Sequence, residues 1–325
     1  MPDLLPHDHP ATRAQIVATL GPRSLPLAAA LAAAGATAFR LNASHLRPAA
    51  LAAALARTRD ACPETPIVVD LQGAKMRLGW IESRTVSPGD RVRFGPGGDP
   101  AVSLPHPELY RDIRPGQVLS VDDGRLRLEV LEAGPTSIEA RAVTAGTLEP
   151  RKGVNVERHP VHLQGLTPSD VEALSIGAMH AGVAFAFSFM STGREAAWVR
   201  EAVPGAAVAG KVERDEAVQA LPALASLVDA VWVCRGDLGA QLGLDRLARV
   251  VAAIDPRAYP CPVLLAGQVL QHLVEHAEPT RSEVCHLYDM MARGYAGIVL
   301  SDETAVGRDP VRAVRVAAAL LAASG

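Results

Sequence analysis

Lys211 and Glu213 stand two residues apart in AAVAGKVER, and Asp237 follows in AVWVCRGDLG. Residues i and i+2 of a strand share a face, so the ammonium and the first carboxylate point the same way. Glu213 and Asp237 end successive strands and can converge on one divalent ion, because Mg²⁺ favours one or two carboxylates completed by substrate and water oxygens. Lys211 is either a catalytic cation or half of a buried ion pair, since paired charges also occur in scaffolds. A second polar group alternates along AFRLNAS, where Arg40 and Asn42 face one way, Ser44 follows and His45 lies at the rim. Such a group can grip a phosphate. Arg77 adds a second guanidinium, and planar forks clamp phosphate better than lone ammonium groups.

These residues need a frame that brings strand ends together. QIVATL, AFRLNAS and IVVDLQ read as three strands separated by the Ala-rich helices PLAAALAAAG and AALAAALARTRDAC. AFAFSFM, AAVAGKVE, AVWVCRGDLG, PVLLAG and GIVLSDE supply five more. Between the third and fourth, residues 76–160 lose the helical period and show alternation punctuated by turns, as in SPGDRV and RPGQVLSVDDGRLRLEV. The pattern predicts an α/β fold: a TIM (β/α)8 barrel built from residues 1–75 and 161–325, with a small all-β domain, 76–160, inserted after the third strand. In such barrels the chemistry sits at the C-terminal ends of the strands. Those ends carry Thr19, Arg40 and Asn42, Asp70, Ser188, Lys211 and Glu213, Arg235 and Asp237, Gly267, and Ser301 and Glu303.

Composition narrows the partners. The chain has 325 residues, of which 49% are hydrophobic and only 4% aromatic, so its core is built from Ala, Val and Leu. Basic and acidic side chains number 32 and 35 and are interspersed, which leaves no basic stripe for nucleic acid. Cys62, Cys234, Cys261 and Cys285 lie far apart with no CxxC pair and read as reduced cytosolic thiols. The start, MPDLLPHDHPATRAQ, lacks the basic and apolar regions of a signal peptide, and no apolar run reaches membrane-span length. A cytoplasmic protein with no membrane partner is expected.

Taken in order, IVATLGPRS, ATAFRLNASH, VVDLQGAKMR, VDDGRLRLEV, PRKGVNV, LTPSD, AGKVER, VWVCRGDLGAQL, EPTRSEV and VLSDETAVGRDPVRAV resemble the pyruvate kinase family over almost the whole chain. RGDLG, PTRSE and SDETA in series are the most specific of these. The resemblance implies phosphoryl transfer between phosphoenolpyruvate and ADP, a glycolytic reaction, with Mg²⁺ or Mn²⁺. It implies that Lys211 stabilises the enolate oxygen and the transferring phosphoryl group, and that Arg40 contacts that group. Glu213 and Asp237 would hold the metal, while backbone N–H groups of Gly236 and Asp237 would meet the substrate carboxylate beside Gly267. Ser301 and Glu303 join the catalytic set at the end of strand eight. Arg77 and Lys152 would take the nucleotide phosphates, with His45 near the nucleotide, and a hinged β-domain would close over the substrates and exclude water. Asn42, Ser44, Asp70 and the backbone of Leu71 match a monovalent-cation shell.

The chain departs from the family at three places. Gly267 stands where relatives have threonine, which removes a hydroxyl associated with protonating the enolate; restoring it in Gly267→Thr is expected to raise the rate, unless the pocket has been rebuilt around glycine for a larger enol acid. Lys75 stands where potassium-dependent relatives have glutamate, and two readings compete: a solvated hinge lysine, or an internal ammonium that replaces K⁺, which is the expectation. The sequence stops after the eighth barrel helix, which implies no effector control and a monomer or homodimer. Two other functions remain open: a non-catalytic or regulatory paralogue, suggested by Gly267, and a barrel enzyme acting on another enol acid as phosphotransferase or lyase. Retention of Lys211, Glu213 and Asp237 argues against the first, and of Arg40, Arg77 and Lys152 against a lyase.

Overall fold

The structure, a computed structural model, describes residues 14–96, 102–122, 124–157 and 161–323. Of the stretch read above for a leader, residues 1–13 lie outside them. Two compact units emerge: one runs to Gln72 and resumes at Leu166, and the other is Gly73–Gly165.

In the first unit, eight parallel strands close into a barrel. In chain order they are Gln15–Thr19, Ala38–Asn42, Ile67–Leu71, Val183–Phe187, Val208–Val212, Ala230–Cys234, Val263–Ala266 and Gly297–Leu300. Each was legible as an apolar run between turn signals. Alternate residues face inward, and the interior is packed by Val17, Val68, Ala186, Ala209, Trp232, Leu264 and Val299. Small side chains let one indole fill much of the centre, which is how a chain so poor in aromatics closes its core. At the N-terminal end this filling is incomplete: a cavity of about 30 Å³ lies among Val17, Ala38, Val68, Ala209 and Trp232.

The inward alternation continues past the apolar layers, so that the next side chain on each strand reaches the mouth. Arg40 follows Ala38, Asp70 follows Val68, Ser188 follows Ala186 and Lys211 follows Ala209. Strand stagger places them at neighbouring heights, with Thr19 opposite Arg40 and Asn42 opposite Asp70.

Several of the family-like strings turn out to start helices. Thr167 in LTPSD caps Pro168–Ala178, and Asp309 caps Pro310–Ala322. In PTRSE, Thr280 and Glu283 form a reciprocal capping box on Arg281–Ala292. These caps satisfy backbone donors that a helix start would otherwise leave orphaned.

The second unit holds a six-stranded antiparallel sheet and a two-stranded one around a core that includes Leu78, Phe94, Leu119, Leu128 and Ile138. It departs from the all-β expectation by one short helix, Pro107–Asp112, whose proline at the first turn and Glu108 beside it are helix-start residues. Among the described residues, no helix is long and apolar enough to cross a membrane.

Candidate active site

At the barrel mouth one carboxylate gathers two cations. Arg40 donates from Nε to Asp70 Oδ2 at 2.8 Å, and its Nη2 lies 2.6 Å from the same oxygen. Lys211 Nζ reaches that oxygen at 3.0 Å and also lies 3.2 Å from Glu213 Oε1. Two hydroxyls complete the cluster. Thr19 Oγ1 accepts from Arg40 Nη1 at 3.0 Å; Ser188 Oγ accepts from Lys211 at 2.8 Å and donates to Asp70 Oδ1 at 3.1 Å. The other oxygen of Glu213 accepts the Phe189 N–H at 2.7 Å.

Three of these groups are sealed from bulk water, Asp70 and Glu213 being 1% exposed and Lys211 6%. Burial works against the charges on Arg40, Asp70 and Lys211, but their partners prevail. Burial raises the Asp70 carboxyl, yet Lys211 and Arg40 together hold it down at about 2. Burial lowers the Lys211 ammonium, yet Asp70 and Glu213 raise it above its ordinary value. The lysine is therefore a fixed cation rather than a proton donor or acceptor near neutral pH. Cys234, on the adjacent strand, is the reverse case: burial, and then Glu213, push its thiol well above the usual range. It remains protonated and is no nucleophile.

The structure thus brings Arg40, Asp70, Lys211 and Glu213 together. Thr19 and Ser188 were visible in the sequence only as polar strand ends; their place as supports of the two cations needed the register. Asp237 is half-buried in the first turn of the helix Arg235–Leu242. Two carboxylates suit an ion that keeps substrate and water oxygens, and no group of three or more metal-ligating side chains occurs among the described residues. Asn42 Oδ1 accepts the Ser44 N–H at 3.1 Å and its hydroxyl at 2.7 Å, while the neighbouring His45 is exposed.

The loops after strands six to eight are organised around backbone. Gly267 and Gln268 both have left-handed backbones, at φ +79° and +52°. Such a conformation costs a residue with a Cβ roughly 1–2 kcal/mol. A Cβ built on Gly267 would also stand 3.0 Å from the Gly236 nitrogen. The expectation that threonine could be restored there runs into an obstacle, because a β-branched residue meets both strain and contact. Glu303, wholly buried, spends its carboxylate on three N–H groups, those of Val269, Leu270 and Ser301.

In the second unit, Arg77 is buried; its N–H donates to His106 Nε2 at 2.8 Å and its Nη1 to the Arg151 carbonyl at 2.8 Å. Lys152 pairs with Asp122 at 2.9 Å and Glu149 at 3.1 Å. Lys75 is half-buried, with its stem near Gly153.

Comparison with known proteins agrees with this geometry. The family model for the pyruvate kinase barrel domain matches residues 11–314. The chain is 34% identical to a pyruvate kinase of Agrobacterium vitis over 323 residues, which covers 94% of this chain and 68% of that protein. It is 32% identical to one from Methylorubrum extorquens, covering 93% and 66%, and 32% identical to one from Mycobacterium tuberculosis, covering 96% and 70%. The chain spans about two thirds of the length of these relatives. With a closed eight-stranded barrel, a cation cluster at its mouth and this extent of matching sequence, the chain belongs to the pyruvate kinase family.

Proposed function

We propose that the chain transfers a phosphoryl group between phosphoenolpyruvate and ADP, yielding pyruvate and ATP, with the reacting atoms above Arg40 and Lys211. The observation that carries this reading is the pair of permanent cations sharing one buried carboxylate, Asp70. Phosphoryl transfer asks for positioned positive charge around the equatorial oxygens more than for a nucleophilic side chain. Asp70 holds both cations in place, side by side, and Glu213 flanks Lys211 as the second carboxylate. Arg40 binds the phosphoryl oxygens. Lys211 binds the phosphoryl group and the oxygen that becomes the enolate, and because it stays charged it stabilises that oxygen without taking up a proton itself.

Glu213 and Asp237 would hold Mg²⁺ or Mn²⁺, which when bound supplies a Lewis acid for phosphoryl and enolate oxygens. The N–H groups of Gly236 and Asp237 receive the substrate carboxylate, and Ser301 is the hydroxyl at hand for the enolate in place of the one absent at Gly267. By family resemblance Arg77 and Lys152 take the nucleotide phosphates, with His45 beside the nucleotide. Lys152 then exchanges Asp122 and Glu149 for phosphate oxygens. Asn42, Ser44, Asp70 and the Leu71 carbonyl correspond to a monovalent-cation shell, and Lys75 supplies the unit charge in its stead, so K⁺ is not required. The setting is the cytoplasm.

A coupled assay of pyruvate formation, run with and without ADP, divalent metal and potassium, tests the reading. Pyruvate should form only when ADP and metal are both present, at similar rates with and without potassium at matched ionic strength. Absence of turnover with Mg²⁺ or Mn²⁺ and several nucleoside diphosphates would overturn it.

A further inference from the structure

Two consecutive left-handed residues, Gly267 and Gln268, make a turn that persists only if its surroundings fix it. They fix it from both sides of the peptide. Arg235 donates to the Gly267 carbonyl from Nε at 3.1 Å and from Nη2 at 2.8 Å, and to the Gln268 carbonyl from Nη2 at 2.8 Å. Its remaining nitrogen lies 2.7 Å from His286 Nε2, which keeps the fork from rotating away. Glu303 takes the amides that follow, Val269 and Leu270, at 3.1 Å each on Oε1, and the Ser301 N–H at 2.8 Å on Oε2. A cation on the carbonyls and an anion on the amides, each from a different barrel loop, thus tie the loops after strands six, seven and eight into one body. That body abuts the start of the helix Arg235–Leu242: a Cβ on Gly267 would lie 3.0 Å from the Gly236 nitrogen and 3.3 Å from the Arg235 nitrogen.

We propose that Arg235 and Glu303 are positioning residues for the carboxylate of the enol acid. They touch no substrate; they hold the Gly267–Gln268 turn as a rigid wall beside the Gly236 N–H, so that the carboxylate meets its backbone donors in one place. Glu303, which the sequence put among the catalytic candidates, thereby acts through the backbone rather than on the reacting atoms. The inference rests on the functional reading above and deepens it: affinity for phosphoenolpyruvate depends on this pair, whereas affinity for ADP does not.

Arg235→Lys keeps the charge but loses the planar fork that spans two carbonyls. Glu303→Gln keeps the shape but replaces one acceptor by an NH₂ group, leaving at least one of the three amides facing a donor. In the full chain with Mg²⁺, titration calorimetry with phosphoenolpyruvate should show at least tenfold weaker binding for each variant, with KM for phosphoenolpyruvate rising in parallel and KM for ADP unchanged. The double variant should lose little more than either single one, because both act on one turn. Folded variants that bind phosphoenolpyruvate within twofold of wild type would overturn the proposal, as would a loss falling equally on ADP. If Glu303→Gln fails to fold, Arg235→Lys decides alone, since Arg235 is only half-buried and its bond to the Gln268 carbonyl is exposed. Wild-type protein that does not bind phosphoenolpyruvate would instead overturn the functional reading, and this inference with it.

Discussion

On strands one to five, the charged side chains at the mouth bind one another; on the loops after strands six to eight, they bind backbone. Asp70 draws Arg40 and Lys211 together, and with Glu213 the result is a buried cluster of two cations and two carboxylates. Arg235 and Glu303 spend their hydrogen bonds on carbonyls and amides, and the result is a fixed loop. The same chemical groups therefore do different work according to what satisfies them. Side-chain partners yield a field. Backbone partners yield a shape.

The sharpest way to break this comparison is to remove the field while sparing the shape. Lys211→Met should cut turnover about 10³-fold, since an ammonium ~4 Å from a developing oxyanion contributes about 4 kcal/mol at a partly screened site. Unchanged turnover, measured by pyruvate formation at saturating substrates, would remove Lys211 from the reaction. Next is the anion between the cations. Asp70→Asn takes from Arg40 its paired carboxylate and leaves Glu213 as the one carboxylate on Lys211, and breaking a buried pair from one side costs about 3 kcal/mol or more. Denaturant unfolding should show that loss, and a variant as stable as wild type would mean that the cluster is not held by Asp70.

Gly267→Thr addresses the other half. The left-handed backbone and the 3.0 Å approach to Gly236 lead to the expectation of a KM for phosphoenolpyruvate raised roughly tenfold, with no gain in kcat. A higher kcat at unchanged KM would show a pliable turn and erase the distinction between the halves. The smallest effect concerns pH. Asp70 is depressed to about 2, so its stabilising contribution is fully present above its unfolded pKa of about 4 and is lost as pH falls towards 2. Lys211 is raised, so its contribution is present below its unfolded pKa of about 10 and is lost only at higher pH. Neither group gives unfolding free energy a slope between pH 5 and 9. A titration in that window that disappears in Asp70→Asn would contradict the assignment.

How much of this was legible in the sequence follows the same division. The period-two alternation of strands such as AFRLN and VAGKV named the inward residues, and with them Arg40 and Lys211. Side-chain clusters built on regular strands inherit their geometry from that period. The turn at Gly267–Gln268 does not, because its form depends on Glu303, more than thirty residues away, and on Arg235 from another loop. In the sequence, glycine at 267 read as a missing hydroxyl; in the fold it is a residue without a Cβ at a left-handed position close against the Gly236 nitrogen. PTRSE shows the converse, a string conspicuous by its resemblance whose Thr280 and Glu283 cap a helix.

The bond between the Gln72 N–H and Asp170 Oδ1, at 2.8 Å, has a consequence for how this chain is assembled as a modular object. Gln72 is the last barrel residue before the inserted unit, and Thr167, one residue into the barrel again, donates to the other oxygen of the same carboxylate at 2.6 Å. The points of departure and return are thus stitched together inside the barrel by one buried aspartate. Whatever lies between them closes a loop whose ends are already joined, and the entropy of closing a loop grows only slowly with its length. The barrel's folding is in this sense indifferent to its cargo. A chain with residues 73–165 replaced by a short glycine-rich turn should still fold its barrel, and Asp170→Ala should weaken the short-turn version and the full chain alike.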